Sequence, residues 1–259
     1  CSPGGAAATS LLRNTAGAAI DGWRAQGHAT AEVGSQQITA RNPDAILDVR
    51  VRIEPGSPVQ FGALRPEGQD RMRPERIIAI AGLPAGAQFS PETLDMVESR
   101  LRGTGVFSAV SLKEGDVQPG GTMDITATLV ESPPRRFGAG AEISTDDGLG
   151  LSAFWLHRNL FGGGERLRIE GEISGIGSEG VDIGGESIEG TDASLTLRYS
   201  RPATFTPDTT FYTELGIEYL DEPNFELATV GIEAGGEHRF SRRLIGSAGV
   251  GFDYYDIND

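Results

Sequence analysis

The sequence predicts an α+β first half followed by an antiparallel β-sheet of about seven strands. Three observations predict this fold class. Apolar residues at helical spacing occur only before residue 106, polar and apolar residues alternate from residue 137 onward, and nearly all of the net charge of −15 lies in that second half. Long alternating strands are typical of a transmembrane β-barrel. A water-soluble β-sandwich or barrel shares the pattern, so both folds remain open on the pattern alone.

The first 54 residues predict one helix and two strands. Apolar residues recur at helical spacing up to Gly27, which ends the helix. Two alternating segments follow, joined by an Asn-Pro-Asp turn at residues 42–44, and a Pro-Gly-Ser-Pro linker comes next. The apolar helix positions are Leu12, Ala16, Ala19, Ile20 and Trp23, and the alternating segments are residues 29–39 and 45–54.

Residues 58–133 predict a complete β-α-α-β-β unit. Its second helix has Ser90 as the N-cap, Pro91 at the first helical position and Glu92 in the first turn. The elements of residues 1–54 match the last three of this unit, so we expect a tandem repeat whose first copy is partial. The other predicted features are a strand at residues 59–64, a helix at residues 74–81, a buried stripe of Leu94, Val97 and Leu101, and strands at residues 106–114 and 123–131.

Seven segments of the second half alternate between polar and apolar residues. In the third, Leu167 and Ile169 fall on one face, and Arg168 and Glu170 fall on the other. Most segments are about ten residues long, which is the length that crosses a bilayer at a tilt. The segments are residues 137–144, 149–157, 166–174, 193–200, 211–219, 228–235 and 244–254.

The charge is divided unequally between the two halves. Residues 1–136 carry a net charge of −1, and residues 137–259 carry −14. An apolar core does not accept such charge, whereas a water-filled lumen or a solvent-facing sheet does. The acidic surface disfavours nucleic acid, and no apolar run is long enough for a transmembrane helix. The acidic residues at polar-face positions are Glu170, Glu172, Glu214, Glu218 and Glu233.

The sequence predicts no catalytic, cofactor or metal site. A G-x-G-x-x-G string at residues 175–180 follows a strand, but no helix N-terminus follows it to bind phosphate. The acidic residues of segment 176–192 lack the spacing of a calcium loop, so we expect a solvated loop. The three histidines lack metal-site spacing, and Cys1 is the single cysteine.

Two motifs resemble a known family. Leu101-Arg-Gly-Thr-Gly-Val-Phe107, at the end of a helix and before a strand, resembles the POTRA (polypeptide-transport-associated) domain. The Arg136-Phe-Gly entry and the Arg-Asn-Leu-Phe-Gly-Gly-Gly-Glu-Arg-Leu turn at residues 158–167 then resemble the BamA/TamA superfamily of outer-membrane insertases, and within it the TamA branch, which assembles autotransporters. The resemblance covers a partial POTRA domain at 1–54, a complete one at 58–133 and the N-terminal part of an outer-membrane β-barrel at 137–259.

The resemblance implies a location, partners and a function. The barrel would lie in the Gram-negative outer membrane with its POTRA domains in the periplasm, and this chain would carry seven of sixteen strands. Implied partners are outer-membrane lipid, unfolded outer-membrane and autotransporter clients, and a periplasm-spanning, inner-membrane-anchored partner of the TamB type. The implied function is client assembly and insertion without enzymatic activity. A two-partner secretion pore is the alternative, and a passive channel is a third possibility.

The resemblance also implies a topology and three functional segments. Loops at residues 145–148, 176–192 and 221–226 would face outside, and turns at 159–165, 202–210 and 241–243 would face the periplasm. Gly138 and Gly140 either weaken the first strand for opening or allow close packing. The client-strand seam is Phe137, Gly138, Ala139, Gly140, Ala141, Glu142 and Ile143. The POTRA edge strand is Val106, Phe107, Ser108, Ala109, Val110, Ser111 and Leu112. The structural turn is Arg158, Asn159, Leu160, Phe161, Gly162, Gly163, Gly164, Glu165 and Arg166.

Overall fold

The computed structural model describes residues 9–41, 46–144, 148–176, 182–183, 186–187, 190–222, 225–241 and 243–258. Cys1, the predicted turn at 42–44, and most of the loops predicted at 145–148 and 176–192 lie outside the described residues. The chain forms two compact units. The first comprises Cys1–Glu67, Leu83–Ser99 and Ser111–Thr128, and the second comprises Gly68–Gly82, Arg100–Val110 and Leu129–Asp259.

The chain begins with a helix and a strand pair, as predicted. Helix α1 (Thr9–Ala25) precedes β1 (Glu32–Arg41) and β2 (Ile46–Glu54), which pair antiparallel. Gly27 follows the helix with a φ of 95°, a backbone angle that residues with a Cβ rarely adopt. The described part of residues 9–54 therefore forms one helix followed by a two-stranded antiparallel ladder.

The next elements have the predicted β-α-α-β-β order. They are β3 (Gln60–Glu67), α2 (Pro74–Ala81), α3 (Pro91–Gly103), β4 (Phe107–Val117) and β5 (Thr122–Glu131). The sheet has the order β3-β5-β4, with β3 parallel to β5, so β4 lies at one edge. Of the predicted helix stripe, Val97 and Leu101 are fully buried and Leu94 is half-buried.

The second half forms one antiparallel sheet of seven strands. Its order is β14-β13-β12-β11-β8-β7-β6, so neighbours in the sheet are also consecutive long strands of the chain. A small pair, β9 and β10, lies between β8 and β11 in sequence and was not predicted. The strands are β6 (Arg135–Ser144), β7 (Gly148–His157), β8 (Arg166–Ile176), β9 (Asp182–Ile183), β10 (Glu186–Ser187), β11 (Asp192–Arg201), β12 (Thr209–Glu222), β13 (Phe225–Arg239) and β14 (Ile245–Asn258).

The strand register separates an apolar face from a polar face. Partners across the ladder share a face, so Trp155 lies beside Phe137 and Ile169. The apolar face remains open to its surroundings: Ile143 is 86% exposed and Val250 is 79% exposed. A β-sandwich would cover this face with a second sheet, so the described residues do not form a sandwich. The apolar face comprises Phe137, Trp155, Ile169, Leu197, Leu215, Ile232 and Phe252 with their neighbours on the same side.

The last three strands are longer than the alternation predicted. β12, β13 and β14 contain 14, 15 and 14 residues. Asp221 and Glu226, which pair with each other, interrupt the apolar pattern at the strand ends, yet the backbone pairing continues. The alternation therefore predicts the parts of each strand whose side chains face apolar surroundings. It does not predict the strand ends, where the side chains do not alternate. No helix in the described part of the chain combines the length and the apolarity needed to span a bilayer.

Candidate functional site

The predicted seam lies on the first edge of the seven-stranded sheet. Its residues, 137–143, belong to β6, which pairs with β7 on one side and with no other described strand. The side chains of Phe137 and Ile143 are 75% and 86% exposed on the apolar face. The outer N–H and C=O groups of this strand therefore have no ladder partner among the described residues, and strand addition uses groups of this kind.

The two glycines of the seam have different surroundings. At Gly138 a Cβ would lie 2.2 Å from Cε1 of Phe154, so the ring of the neighbouring strand occupies that space. At Gly140 a Cβ would lie 2.9 Å from Oγ of Ser152, which is a small side chain able to rotate away. Close packing therefore explains Gly138. The interpretation of Gly140 as a residue that weakens the first strand stays a prediction.

The predicted POTRA edge residues begin just before β4. Val106 precedes the strand, and residues 107–112 form its first half. Val106, Phe107 and Val110 are buried, whereas Ser108, Ala109 and Ser111 are exposed and Leu112 is half-buried. Arg102 Nη2 donates to the carbonyl oxygen of Val110 at 3.2 Å, so one carbonyl of this strand has a side-chain partner in addition to the ladder. The exposed residues lie along an edge strand, as strand addition requires.

The glycine-rich turn is built around two buried polar side chains. Glu165 is 3% exposed, and its Oε2 accepts hydrogen bonds from Gly163 N at 2.8 Å and Phe161 N at 3.3 Å. Asn159 is 7% exposed, and its Oδ1 accepts from Gly164 N at 2.9 Å. The sequence indicated Glu165 as a charge that flanks the turn. The structure places it inside the turn, where backbone N–H groups satisfy the carboxylate.

The turn is also held by the segment that begins α2. Arg73 N donates to Gly162 O at 2.9 Å, and Arg76 Nε donates to Gly163 O at 3.4 Å. A Cβ at Gly164, where φ is +82°, would lie 3.1 Å from Cε of Met72 and 3.3 Å from Cδ1 of Ile80. Only glycine combines this backbone angle with this close approach.

A second turn, residues 202–208 between β11 and β12, contacts the same helix. Arg76 Nη2 donates to Pro202 O at 2.7 Å. Burial, followed by the nearby positive charge of Arg201, lowers the pKa of Arg76 below its ordinary value. Ala203 and Phe205 adopt positive φ angles of 48° and 69°, which are unfavourable for residues with a Cβ. This turn therefore has a specific backbone conformation that its contact with Arg76 helps to hold.

Arg100, in the last turn of α3, joins that second turn through an ion pair. Its Nε lies 2.9 Å from Oδ1 of Asp208, and its Nη2 lies 2.5 Å from Oδ2. Its Nη1 donates to Ala81 O at 3.0 Å, at the C-terminal end of α2. The hydrogen bonds from Arg100 hold the pKa of Asp208 below its ordinary value, against the opposing effect of burial.

The short connection between β5 and β6 is hydrogen-bonded at both ends. It consists of Ser132, Pro133 and Pro134, between Glu131 and Arg135. Ser132 N donates to Val106 O at 2.7 Å, and Pro134 O accepts from the N–H of Arg158 at 2.8 Å. The prolines fix φ, so this connector has little conformational freedom. It links the residue before the edge strand β4 to the first residue of the glycine turn.

Glu131, the last residue of β5, orders the segment before α2. Its Oε1 accepts hydrogen bonds from the backbone N–H groups of Asp70, Arg71 and Met72 at 3.0, 2.9 and 2.9 Å. Burial opposes ionisation of Glu131, but these N–H groups and Arg71 more than offset it, so the pKa lies below its ordinary value. A single carboxylate thereby fixes the approach to α2.

The polar face of the sheet carries paired charges. Arg168 Nη2 lies 2.8 Å from Oε1 of Glu170, and Arg198 Nη1 lies 2.8 Å from Oε2 of Glu214. Arg168 also lies over the ring of Phe154, with Cζ 4.2 Å from the centroid. These partly exposed pairs suit a hydrated surface. No cluster of three or more His, Cys, Asp or Glu side chains that could hold a metal occurs among the described residues.

Sequence reasoning missed the residues that hold the two turns. Arg73, Arg76 and Arg100 come from the β-α-α-β-β unit, and Asp208 lies more than a hundred residues beyond them in sequence. The available signal was the unusual length of the turn at 202–208, which contains Pro202 and Pro207. A turn that only reverses two strands needs no such length.

Several solved structures are similar to this chain. The crystal structure of BamA from Haemophilus ducreyi lacking POTRA domains 1–3 matches with a TM-score of 0.77 and 17% identity, over 100% of this chain and 47% of that one. CdiB from Escherichia coli matches with a TM-score of 0.44 and 14% identity, over 96% of this chain and 54% of that one. BamA POTRA3–5 from Haemophilus influenzae matches with a TM-score of 0.43 and 16% identity, over 47% of this chain and 48% of that one.

The match to the Haemophilus ducreyi structure establishes the fold. No protein-family model and no curated protein matches the sequence. This chain spans about half the length of the BamA chain that it matches, at 47%. The chain has the fold of the part of that BamA chain that it matches.

Proposed function

We propose that this chain is part of an outer-membrane assembly factor that pairs unfolded client strands with two of its strands, β4 and β6. The observation that carries the proposal is the position of these two strands in their sheets. β4 lies at one edge of the β-α-α-β-β sheet, and β6 is the first strand of the seven-stranded sheet. The fold shared with BamA supports the same proposal.

Strand pairing supplies the driving force for this activity. An extended client adds to an edge through main-chain hydrogen bonds, and alternate side chains provide selectivity. In a bilayer an unpaired client edge leaves N–H and C=O groups without partners, which costs several kcal/mol for each group. Pairing with β6 removes that cost. The proposed activity therefore needs no nucleotide and no covalent step, and we propose that the protein is not an enzyme.

The two faces of the sheet support placement in the outer membrane. The apolar face, with Ile143 and Val250 largely exposed, would contact lipid. The polar face, with the pairs Arg168–Glu170 and Arg198–Glu214, would line water. The β-α-α-β-β unit would then lie in the periplasm, on the side of the turns at residues 158–166 and 202–208. Each strand of the seven-stranded sheet is long enough to cross the apolar layer of a bilayer at a tilt.

Within this function we propose the TamA branch. The POTRA-like motif at residues 101–107 and the glycine turn at 158–167 support it, because they occur in the order found in that branch. The clients would then include autotransporters. A periplasm-spanning partner anchored in the inner membrane, of the TamB type, would deliver them.

A two-partner secretion transporter is the alternative function. The ion-paired polar face supports secretion as much as it supports assembly, because this face would line a hydrated lumen that an unfolded exoprotein could cross. The two functions differ in the path of the client. An assembly factor holds the client at the outer edge of β6, whereas a secretion transporter passes it along the polar face.

Site-specific photocrosslinking in living cells separates the two paths. A photoreactive amino acid is placed in the intact protein at Ala141, on the free edge strand, or at Thr196, on the polar face in the middle of β11. Ile232, on the apolar face within the sheet, is the matched control. Client crosslinks at Ala141 but not at Thr196 or Ile232 are the expected result.

The opposite pattern favours secretion. Crosslinks of an exported protein at Thr196, with none at Ala141, would identify the polar face as the client path and would contradict the assembly proposal. Crosslinks at Ile232 as strong as those at Ala141 would show that the clients contact the apolar face without selecting the edge.

A further inference from the structure

We propose that a basic groove beside the glycine turn binds the phosphate group of an anionic phospholipid. The groove has a volume of about 710 Å³. Arg71, Arg73 and Arg135 line it together with His157 and Phe161. Arginine is suited to phosphate because its planar guanidinium donates two parallel hydrogen bonds.

The groove concentrates positive charge in a chain whose net charge is −15. Its three arginines are exposed. Arg71 and Arg73 form long, exposed ion pairs, with Nε 3.9 Å from Asp70 Oδ2 and from Glu75 Oε1 respectively, and Arg71 also attracts the carboxylate of Glu131. No carboxylate of the described residues lies within ion-pair distance of Arg135. The groove therefore has cationic groups whose charge the protein neutralises only in part, and Arg135 has no ion pair among the described residues.

A buried donor adds a second, independent observation. Asn159 lines the groove and is 7% exposed. Its Oδ1 accepts from Gly164 N at 2.9 Å, which fixes the orientation of the amide. Its Nδ2 is buried without a hydrogen-bond partner among the described residues. A buried donor without an acceptor costs about 1–3 kcal/mol, so a phosphate oxygen that reached Nδ2 through a small movement of the groove wall would remove that cost.

The strand register places the groove on the lipid side. Arg135 pairs with His157, and two residues along each strand Phe137 pairs with Trp155. Side chains two residues apart share a face, so Arg135 and His157 continue the apolar face at its periplasmic end. Phe161 is 67% exposed at the same groove. Cations directly beyond an apolar surface match a phospholipid, whose phosphate lies directly beyond its acyl chains.

The inference rests on the proposed membrane placement, and its test separates the two. Trp155 is a natural reporter, because its ring lies 5.9 Å from that of His157. The intact protein, with its other tryptophans replaced by phenylalanine, is reconstituted into phosphatidylcholine vesicles. The vesicles contain either brominated phosphatidylglycerol or brominated phosphatidylcholine at the same mole fraction. Bromine quenches the fluorescence of Trp155 according to how often each lipid is adjacent.

We expect stronger quenching by brominated phosphatidylglycerol. In an Arg71→Gln/Arg135→Gln variant the preference should fall by roughly fivefold for each arginine removed. Arg243→Gln is the matched control. Arg243 lies in the turn between β13 and β14, at the edge of the sheet opposite to β6. Asn159→Asp keeps the acceptor for Gly164 and replaces the donor by a repelling oxygen, so it should also lose the preference.

Three results would overturn the inference. The first is equal quenching by the two lipids in the unsubstituted protein. The second is an unchanged preference in both groove variants, provided that they fold and insert. The third is displacement of the preference by millimolar inorganic phosphate, which would identify a soluble anion as the ligand. Absence of quenching by either lipid would instead contradict the membrane placement and therefore the proposed function.

Discussion

Arg100 and Asp208 form a two-point ion pair that fastens the turn between β11 and β12 to the end of α3. The two contacts measure 2.9 Å and 2.5 Å, and the side chains are 13% and 24% exposed. The same guanidinium donates to the carbonyl oxygens of Ala81 and Gly82. One residue therefore holds the C-terminal ends of two helices and a strand turn together.

The first prediction is that Arg100 and Asp208 stabilise the folded protein jointly. Because the pair is bidentate and mostly shielded from water, its coupling energy should be about 1–2 kcal/mol. The measurement is a double-mutant cycle of Arg100→Gln and Asp208→Asn, with urea unfolding in detergent. The pair Arg65–Asp124, whose arginine is 64% exposed, is the matched control and should give a smaller coupling. Equal couplings would show that shielding contributes nothing.

The second prediction concerns pH. Arg100 lowers the pKa of Asp208 below its ordinary 3.8. A carboxyl group with a depressed folded pKa contributes stability above its unfolded pKa, and this contribution is lost as the pH falls through the folded pKa. The melting temperature of the unsubstituted protein should therefore exceed that of Asp208→Asn by a constant amount near neutral pH. The difference should shrink below pH 3.8. Glu131 is present in both proteins, so its own titration cancels. A difference that persists in strong acid would contradict the assignment.

The third prediction is that the glycine turn is needed for folding. Gly164→Ala introduces a Cβ against Met72 and Ile80 at a positive φ, with a strain of about 1–3 kcal/mol. The fraction of folded protein, measured by the heat-dependent shift in electrophoretic mobility, should fall. Activity per folded molecule should stay near normal. Gly120→Ala is the control, because a Cβ at Gly120 meets no atom within 4 Å.

A different outcome for this variant would change the role of the turn. If Gly164→Ala folded to normal levels but failed to assemble clients, the turn would have to contact a client or a partner directly.

The fourth prediction concerns the seam. Gly140→Val should strengthen β6, since valine favours strands and the Ser152 hydroxyl, 2.9 Å from the new Cβ, can rotate away. Heat resistance of the folded sheet should rise and assembly activity should fall. Gly216→Val, on the polar face of β12 where a Cβ meets no atom within 4 Å, is the control and should leave activity unchanged. Raised heat resistance with unchanged activity in Gly140→Val would contradict opening at this seam.

Gly138→Val separates packing from strand weakening. The ring of Phe154 fills the space that the new side chain would need. This variant should therefore lose folded protein, in contrast to Gly140→Val. Similar folding of the two variants would show that the ring moves aside at little cost.

The fifth prediction concerns orientation. A cysteine in place of Ser187, within β10, should react with an impermeant maleimide on intact cells. A cysteine in place of Phe205, which is 97% exposed at the turn between β11 and β12, should react only after the outer membrane is permeabilised. The reverse labelling would invert the topology.

The sequence predicted the helices and the long strands well, because neighbouring residues determine where each of them begins and ends. The bounds of α2 agree with the prediction, since Pro74 begins the helix and Gly82 ends it in a left-handed conformation with a φ of 57°. Alternation located all seven strands of the sheet. The strand pair β9–β10 was missed because two-residue strands carry no periodicity.

The contacts between turns and helices could not be predicted in the same way. The partners Arg100 and Asp208 lie far apart in sequence, and no spacing rule connects them. The sequence placed Glu165 in the structural turn, but the local pattern did not indicate that its side chain is buried. It is buried because the glycine turn presents free N–H groups to its carboxylate, a property of the folded backbone that composition does not reveal.

The connector of Ser132, Pro133 and Pro134 has a mechanical consequence. A flexible tether would absorb force as changes in its own shape. This connector has two fixed φ angles and hydrogen bonds at each end, to Val106 and Arg158. It therefore acts as a stiff lever arm. If clients bind β4 as proposed, force on that strand would pass through the stiff connector to β6, so client binding at β4 and loosening of the first strand would be coupled.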